Sequence, residues 1–208
     1  MSLTAKQGQS IELIEAGNHH GVCVSVIDLG TQYNEHFGKE QPKVMITWEL
    51  IDFPLLNGDD DSDPQKRFRL ISKEYTSSLN DKANLYADLI SWRGRDFKPE
   101  ELEGFNIKKI LGANCLVNVI HVTKNNKTYA NVSAVAKLPK AMISKTPTYQ
   151  LFYDMDESVE GIPEGVPDWI KDKIKKSREW IAFANPQDHD EPAVTDADAD
   201  AGEDDIPF

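Results

Sequence analysis

The stretch Lys43-Val-Met-Ile-Thr-Trp-Glu-Leu-Ile-Asp52 decides the fold class of this chain. Every second side chain in it is apolar, and these side chains are Val44, Ile46, Trp48 and Leu50. A period of two residues is that of a β-strand with one buried face, so we predict a half-buried strand with Trp48 on the core side. The fold is therefore expected to be organised around β-structure.

Strands are also predicted on both sides of this stretch. Residues 21–30 are rich in β-branched side chains and are bounded by glycines, which is typical of a strand. Residues 31–41 are expected to form the loop that joins these two strands. A third strand is predicted over residues 66–75, after a turn-rich insertion at 53–65 that contains an aspartate cluster.

A helix and a second strand pair follow. Residues 78–92 begin with Ser78 or Asn80 as a helix cap, and Gly94 is suited to end the helix. The apolar stripe assigned to this helix consists of Ala83, Tyr86, Ala87, Leu89 and Ile90. Residues 114–123 and 127–137 are both strand-like and flank Lys124-Asn125-Asn126, which predicts a β-hairpin.

The order of these elements favours one architecture. Strand, strand, strand, helix, strand, strand is the order of an OB-fold, a five-stranded, partly open Greek-key barrel with its helix between strands three and four. Small barrels and sandwiches of other topology have the same strand count and remain alternatives. Residues 1–140 are accordingly assigned to an OB-fold domain of the mainly β class.

The last third of the chain is expected to lie outside that domain. Residues 141–184 are assigned to an extended arm and an amphipathic helix, which packs on the barrel or on a partner subunit. The helix is predicted from Pro167 to about Ala184, with an apolar stripe formed by Trp169, Ile170, Ile174, Trp180 and Ile181. Residues 185–208 are assigned to a disordered acidic tail, because they offer too little apolar surface to offset the entropy of ordering them.

The distribution of charge bears on the class of partner. The chain has 23 Lys and Arg against 35 Asp and Glu, for a net charge of −12. Nine of the acidic residues and no Lys or Arg lie in residues 185–208, so the rest of the chain carries only −3. Net acidity is therefore compatible with a basic nucleic-acid-binding groove, since affinity depends on where the cations are placed.

The tail ends in Asp204-Asp205-Ile206-Pro207-Phe208. This acidic tip with a terminal aromatic resembles the C-terminal tip of bacterial single-stranded DNA-binding proteins and of their bacteriophage counterparts. The resemblance implies a protein that coats single-stranded DNA in replication, recombination or repair, and whose tail recruits replication or recombination proteins. A merely solvating acidic tail is the alternative interpretation.

Candidate contacts to nucleic acid follow from the expected fold. In an OB-fold, the face of strands two and three and the loops between strands one and two and between strands four and five bind oligonucleotides. Cations there would follow the phosphates, and aromatic rings would stack on unpaired bases. The candidate residues in those elements are Tyr33, Phe37, Lys39, Lys43, Arg67, Arg69, Lys73, Lys124, Lys127 and Tyr129.

Four functional questions have more than one answer at the level of sequence. The cations of residues 171–178 could hold DNA, face the solvent or support a homo-oligomer. The acidic tail could occupy the basic groove until DNA displaces it, which is a hypothesis on charge alone. A protein-interaction adaptor whose barrel binds no nucleic acid is the alternative function, and a preference for RNA over DNA is also open.

Catalytic and metal-dependent functions are not indicated. The cluster Asp59, Asp60, Asp61 and Asp63 is interpreted as a solvated loop rather than a divalent-cation site, because no catalytic arrangement accompanies it. Cys23 and Cys115 are expected to be buried, reduced thiols without a zinc-ligand spacing. We therefore expect no enzyme activity, no cofactor, no membrane partner and a cytoplasmic location, which is the bacterial host cytoplasm if the protein is encoded by a phage.

Overall fold

The computed structural model of the chain describes residues 13–35, 38–55, 67–158 and 161–184. The protein is mainly β in these ranges. The strands are β1 (Gly17–Asn34), β2 (Lys39–Leu55), β3 (Arg67–Thr76), β4 (Asn114–Lys124), β5 (Lys127–Lys137) and β6 (Leu151–Tyr153). The helices are α1 (Asn84–Arg93), α2 (Pro99–Leu102), a 3₁₀ turn at Ile107–Ile110, α3 (Asp168–Ile174) and α4 (Arg178–Ala184).

The six strands form one sheet in the order β3-β2-β1-β4-β5, with β6 added beside β1. Neighbours along the main path are antiparallel, and β6 runs parallel to β1. The predicted succession of three strands, a helix and two strands is confirmed, although no hydrogen-bonded ladder joins β3 to β5 in the described part of the chain. The sheet is therefore barrel-like but not closed.

The predicted loop at residues 31–41 is wrong in most of its length. β1 continues to Asn34 and β2 begins at Lys39, with Tyr33 opposite Glu40 and Thr31 opposite Pro42. Polar side chains suggested a loop there, but a ladder is made by main-chain groups, which pair whatever side chains they carry. Tyr33, Lys39 and Lys43 consequently lie on strands.

β2 is buried on both faces rather than half-buried. Trp48 is in the main core with no exposed surface, as predicted, together with Ile46 and Leu50. The opposite face carries Met45, which belongs to a second apolar cluster with Ile27, Leu29, Tyr153, Val166, Ile170 and Ile174. That cluster forms because β6 and α3 cover the outer side of β1 and β2. The alternation of apolar residues in β2 could not predict this covering.

A carboxylate is buried under the arm that covers β2. Glu49 has no exposed surface, and it accepts hydrogen bonds from the backbone N–H of Thr148 at 3.0 Å and from its hydroxyl at 2.6 Å. Buried carboxylates require such donors, because desolvation without compensation is costly. Thr148 therefore fastens the arm to the sheet.

Thr148→Val tests this attachment. The substitution keeps the shape of the side chain but removes a donor to a buried carboxylate, so the free energy of unfolding should fall by about 1–3 kcal/mol. Thr146→Val, at an exposed position of the same arm, should change it by less than about 0.5 kcal/mol. Urea unfolding of both variants measures the difference, and equal effects would show that the arm does not depend on Glu49.

The helix between β3 and β4 begins later than predicted. α1 starts at Asn84, because the side chains of Ser78 and Asn80 accept hydrogen bonds from N–H groups two residues on and so form turns. Its buried side chains are Leu85, Leu89 and Trp92. Of the predicted stripe, Leu89 is buried and Tyr86 and Ile90 pack partly buried against the core, whereas Leu85 and Trp92 were not included in it. Gly94 ends the helix as expected, in the left-handed conformation at φ 67°.

The predicted C-terminal helix is two short helices. Ser177 separates α3 from α4, and its hydroxyl accepts a hydrogen bond from the N–H of Trp180 at 3.2 Å. The break lets Ser177 approach Gly30, where an added Cβ would lie 2.6 Å from the Ser177 Cβ. Ile170 and Ile174 are buried as expected, whereas Trp169 and Ile181 of the predicted stripe are exposed.

Candidate nucleic-acid interface

The sequence-predicted contact residues that the structure describes on β1, β2, β4 and β5 fall into two groups at opposite ends of β1. Tyr33, Lys39 and Lys43 belong to the end where β1 meets β2, and Tyr33 is 64% exposed there. At the other end, Gly17 pairs with Val119, so β4 beyond Val119 and the start of β5 extend past the first residue of β1. The two groups therefore do not share one continuous face.

The second group lies on a projecting hairpin, which confirms the predicted strand pair. Asn125 and Asn126 form its turn with φ values of 53° and 58°, the left-handed geometry of a type I′ turn. The turn lies between Lys124 and Lys127, and both lysines are exposed. The other exposed side chains of this outer half include Ile120, Val122 and Tyr129. We call residues 120–131 the hairpin tip.

The three candidate cations of β3 do not form an open basic face. Ile71 and Tyr75 share their side of the strand and are 6% and 2% exposed, so this side points into the core. Lys73 is held inside by Asp88 of α1, with 2.7 Å between its Nζ and the Asp88 Oδ2, and its Nζ donates to the Ser133 carbonyl at 3.0 Å. Arg69 is half-buried, and the side chain of Arg67 lies outside the described part of the chain.

Asp88 also ties the two edge strands to each other. Its Oδ2 accepts a hydrogen bond from the Tyr75 hydroxyl of β3 at 2.7 Å, and its Oδ1 faces the Val135 N–H of β5 at 3.4 Å. Burial and the neighbouring Asp88 carboxylate raise the pKa of Tyr75, so its hydroxyl remains a donor. Side-chain contacts thus connect β3 to β5 where the backbone ladder is missing.

A basic signal in the sequence was missed because charge was divided only between the tail and the rest of the chain. Residues 104–153 contain seven lysines and no Asp or Glu, in a protein whose net charge is −12. This acid-free segment forms β4, the hairpin tip, β5 and the arm that leads to β6. A charge count in windows of about 50 residues would have located it.

The acid-free segment also contributes to a cleft beside the end of α1. The cleft has a volume of about 760 Å³, and we call it the α1 cleft. Its cations are Arg93, Arg95, Lys109, Lys137 and Lys140, and Glu101 is the carboxylate among the residues that line it. Apolar walls come from Trp92, Phe105, Ile110, Leu138 and Met142. None of these five cations was among the candidates from sequence.

Glu101 is engaged by both arginines of the α1 cleft. Arg93 contacts its Oε1, and Arg95 donates to both of its oxygens at 2.8 Å. The hydrogen bond from Arg95, with further help from the Lys98 N–H and Arg93, holds the pKa of Glu101 well below its usual range. The guanidinium of Arg93 also lies over the Phe97 ring, with 4.2 Å from its Cζ to the ring centroid.

Both cysteines are buried and free, as predicted. Burial raises the pKa of Cys23 to about 12 and raises that of Cys115 as well, so both thiols stay protonated, as expected for buried structural cysteines. Within the ranges that the structure covers, no three His, Cys, Asp or Glu side chains group together as metal ligands do. The helices seen there are also too short and too polar to cross a membrane.

Three further sequence predictions concern residues that the structure does not describe. Phe37, the cluster Asp59–Asp63 and the tip Asp204, Asp205, Ile206, Pro207 and Phe208 all lie outside the described ranges.

Comparison of the chain with protein-family models and with curated proteins found no match.

Proposed function

We propose that this protein binds single-stranded DNA without sequence preference and does so along the acid-free segment. The observation that carries the proposal is the hairpin tip, where Lys124 and Lys127 flank a turn and Tyr129 stands 47% exposed between the lysines and the sheet. Cations that follow phosphates and an open ring that stacks on a base are what single-strand binding requires. Binding is not catalytic, and the tail recruits partner proteins to the covered strand.

The proposal includes an OB-fold. In support, β1 pairs with both β2 and β4, and the described helix α1 precedes β4. β3 and β5 each lie two antiparallel steps from β1 and so run in the same direction, and Lys73 and Asp88 link them. This arrangement is that of a partly open Greek-key barrel whose last gap is bridged by side chains.

The proposed contact surface differs from the usual OB-fold face. The outer side of β1 and β2 is occupied by the second apolar cluster, and Lys173 of α3 pairs with Glu74 on β3. A strand of DNA would have to displace these elements to reach the face of strands two and three. The hairpin tip and the exposed side of β5 need no such displacement, since Asn131, Ser133 and Ala134 are open to solvent.

An oligonucleotide titration of the full chain tests the proposed function. Fluorescence anisotropy with labelled oligo-dT should show binding that is tighter than to duplex DNA of equal length, and log K should fall with log salt at about 0.7 per phosphate contact. A 2′-OH-containing oligo-U of the same length separates DNA from RNA preference. Absence of oligo-dT binding at about 50 mM salt would refute the proposal.

The adaptor function is the second candidate, and one observation favours it. Trp169, Ile181 and Phe183 are 57%, 49% and 77% exposed on α3 and α4, directly before the tail. Large exposed apolar side chains are a feature of protein-docking surfaces. A chain that binds no oligonucleotide would leave this surface and the tail as its functional elements.

A further inference from the structure

We infer that the α1 cleft is a second phosphate-binding subsite for the same DNA strand, and that Glu101 occupies its arginine pair until the strand arrives. The inference rests on the proposed function and extends it. The hairpin tip would be the first contact region, and the cleft would receive the part of the strand that runs beyond β5. The sequence did not suggest any residue of this subsite.

The first argument is the balance of charge in the cleft. Five cations line it against one carboxylate, and that carboxylate is already shared between Arg93 and Arg95. Lys109, Lys137 and Lys140 are exposed and have no carboxylate partner among the described residues. Such an excess of cations in a concave site attracts anions and is relieved when phosphates bind.

The second argument is the state of Arg93. Its side chain is only 15% exposed, its Nη2 faces Glu101, and its Nη1 is buried without a hydrogen-bond partner. A buried guanidinium N–H requires an acceptor, and phosphate oxygens match the planar fork of arginine well. A phosphate that displaces Glu101 would thus meet a guanidinium that still has one N–H without an acceptor.

The third argument is continuity with the hairpin tip. Lys127 begins β5 and Lys137 ends it, which is a distance of about 33 Å at 3.3 Å per residue. The Lys137 side chain lies against the end of α1, since a Cβ on Gly94 would come within 2.7 Å of its Cδ. Lys140 follows three residues later on the same cleft wall. One acid-free strand therefore leads from the hairpin tip into the cleft.

The size of the cleft suits a nucleotide unit. Small-molecule sites span roughly 300–1,000 Å³, and a cleft of about 760 Å³ lined by both apolar side chains and cations accommodates a base and its phosphate. An acidic peptide has a similar charge, but lysines at both ends of β5, Lys127 and Lys137, favour an extended polyanion. The peptide is therefore kept as an outcome of the test.

The test compares two full-chain variants with oligo-dT of two lengths. Lys109→Glu with Lys140→Glu removes the two exposed cations that make no described contact, and Glu101→Gln removes the internal competitor while keeping an acceptor for the Lys98 N–H. An oligomer of about 6 nucleotides should engage the hairpin tip alone, and one of about 20 nucleotides should reach both regions. Thermal unfolding checks that each variant is folded.

We expect the lysine variant to bind the long oligomer about 60-fold more weakly at 50 mM salt, because each lost contact is worth a factor of about 8 there. Its affinity for the short oligomer should stay within about twofold. Glu101→Gln should strengthen binding of the long oligomer by about 2- to 8-fold by the same reasoning. Both length-selective results together support the subsite.

Three results would overturn the inference while leaving the proposed function intact. They are an unchanged affinity of the lysine variant for the long oligomer, an equal loss for both lengths, and a Glu101→Gln variant that binds no better than the unaltered chain. A labelled peptide of residues 185–208 that binds the full chain and is lost in the lysine variant, with DNA affinity unchanged, would assign the cleft to a peptide instead. Failure of the unaltered chain to bind any oligomer would refute the proposed function itself.

Discussion

Replacing Asp88 by alanine is expected to lower the free energy of unfolding by about 3–5 kcal/mol. The carboxylate is 13% exposed and its partner Lys73 is 18% exposed, so the substitution leaves an ammonium group nearly buried and without its counter-ion. It also removes the acceptor of the hydroxyl of Tyr75, a residue that is only 2% exposed. Chemical denaturation measured by tryptophan fluorescence gives the change directly.

Two comparisons separate this effect from a general loss of charge. Asp81→Ala, at an exposed position just before α1, should change the free energy of unfolding by less than about 0.5 kcal/mol. Asp88→Asn keeps an acceptor for Tyr75 but not the charge, so its loss should be intermediate. A loss below 1 kcal/mol for Asp88→Ala would mean that β3 and β5 are held together by other contacts.

Reversing the two lysines of the hairpin turn is expected to weaken single-stranded DNA binding about 60-fold at 50 mM salt. Lys124→Glu with Lys127→Glu removes two phosphate contacts, and 0.05 raised to the power −0.7 makes each worth a factor of about 8. At 200 mM salt the same arithmetic gives a factor of about 3 per contact, so the total effect should shrink to about tenfold. Anisotropy titrations with oligo-dT at both salt concentrations measure this change.

A matched variant at the other end of β1 serves as the control. Lys39→Glu with Lys176→Glu changes the net charge by the same amount at two exposed positions near the junction of β1 and β2. It should leave the affinity within about twofold, apart from the weak effect of net charge. If this variant loses affinity and the hairpin variant does not, the binding surface lies around Tyr33 and Lys39, where the sequence had also placed it.

Stacking on Tyr129 provides a contact that salt does not screen. Stacking should contribute about 1–3 kcal/mol of binding free energy even at high salt, where the contribution of the lysine contacts becomes small. The two kinds of contact can thus be told apart by salt dependence.

The charge of this protein could be interpreted only after it was divided along the chain. The partition between tail and body was accessible from sequence and removed the objection to a nucleic-acid partner. The absence of Asp and Glu from residues 104–153 could also be read from the sequence. Finding it required counting charge over a segment about as long as the structural unit. The five cations of the α1 cleft were not accessible, because they come from α1, the 3₁₀ turn, β5 and the arm and meet only in space.

The burial of side chains on β2 and β3 shows what the apolar periodicity of a sequence cannot predict. Alternation in residues 43–52 correctly put Trp48 in the core, yet it could not show that Met45 and Glu49 are buried as well. Alternation in β3 puts Arg69 and Lys73 on the same side as Ile71 and Tyr75. The sequence interpretation took that side for a nucleic-acid contact face, whereas Ile71 and Tyr75 are buried there. Packing against α1 decided which side of the strand faces the core, since Asp88 neutralises Lys73 on the inner side.

By itself, the sequence determined the mainly β class, the succession of the first five strands, the hairpin at Asn125 and Asn126, the end of α1 at Gly94 and the burial of Trp48. It did not determine β6, which was assigned to an extended arm. The features that it determined depend on local geometry, namely a period of two residues, left-handed turn positions and a helix-terminating glycine. Only the tertiary structure decided which side of β3 is internal, what covers the outer side of β2 and where the cations converge. Those properties arise from contacts between residues far apart in the chain, and no local pattern encodes such contacts.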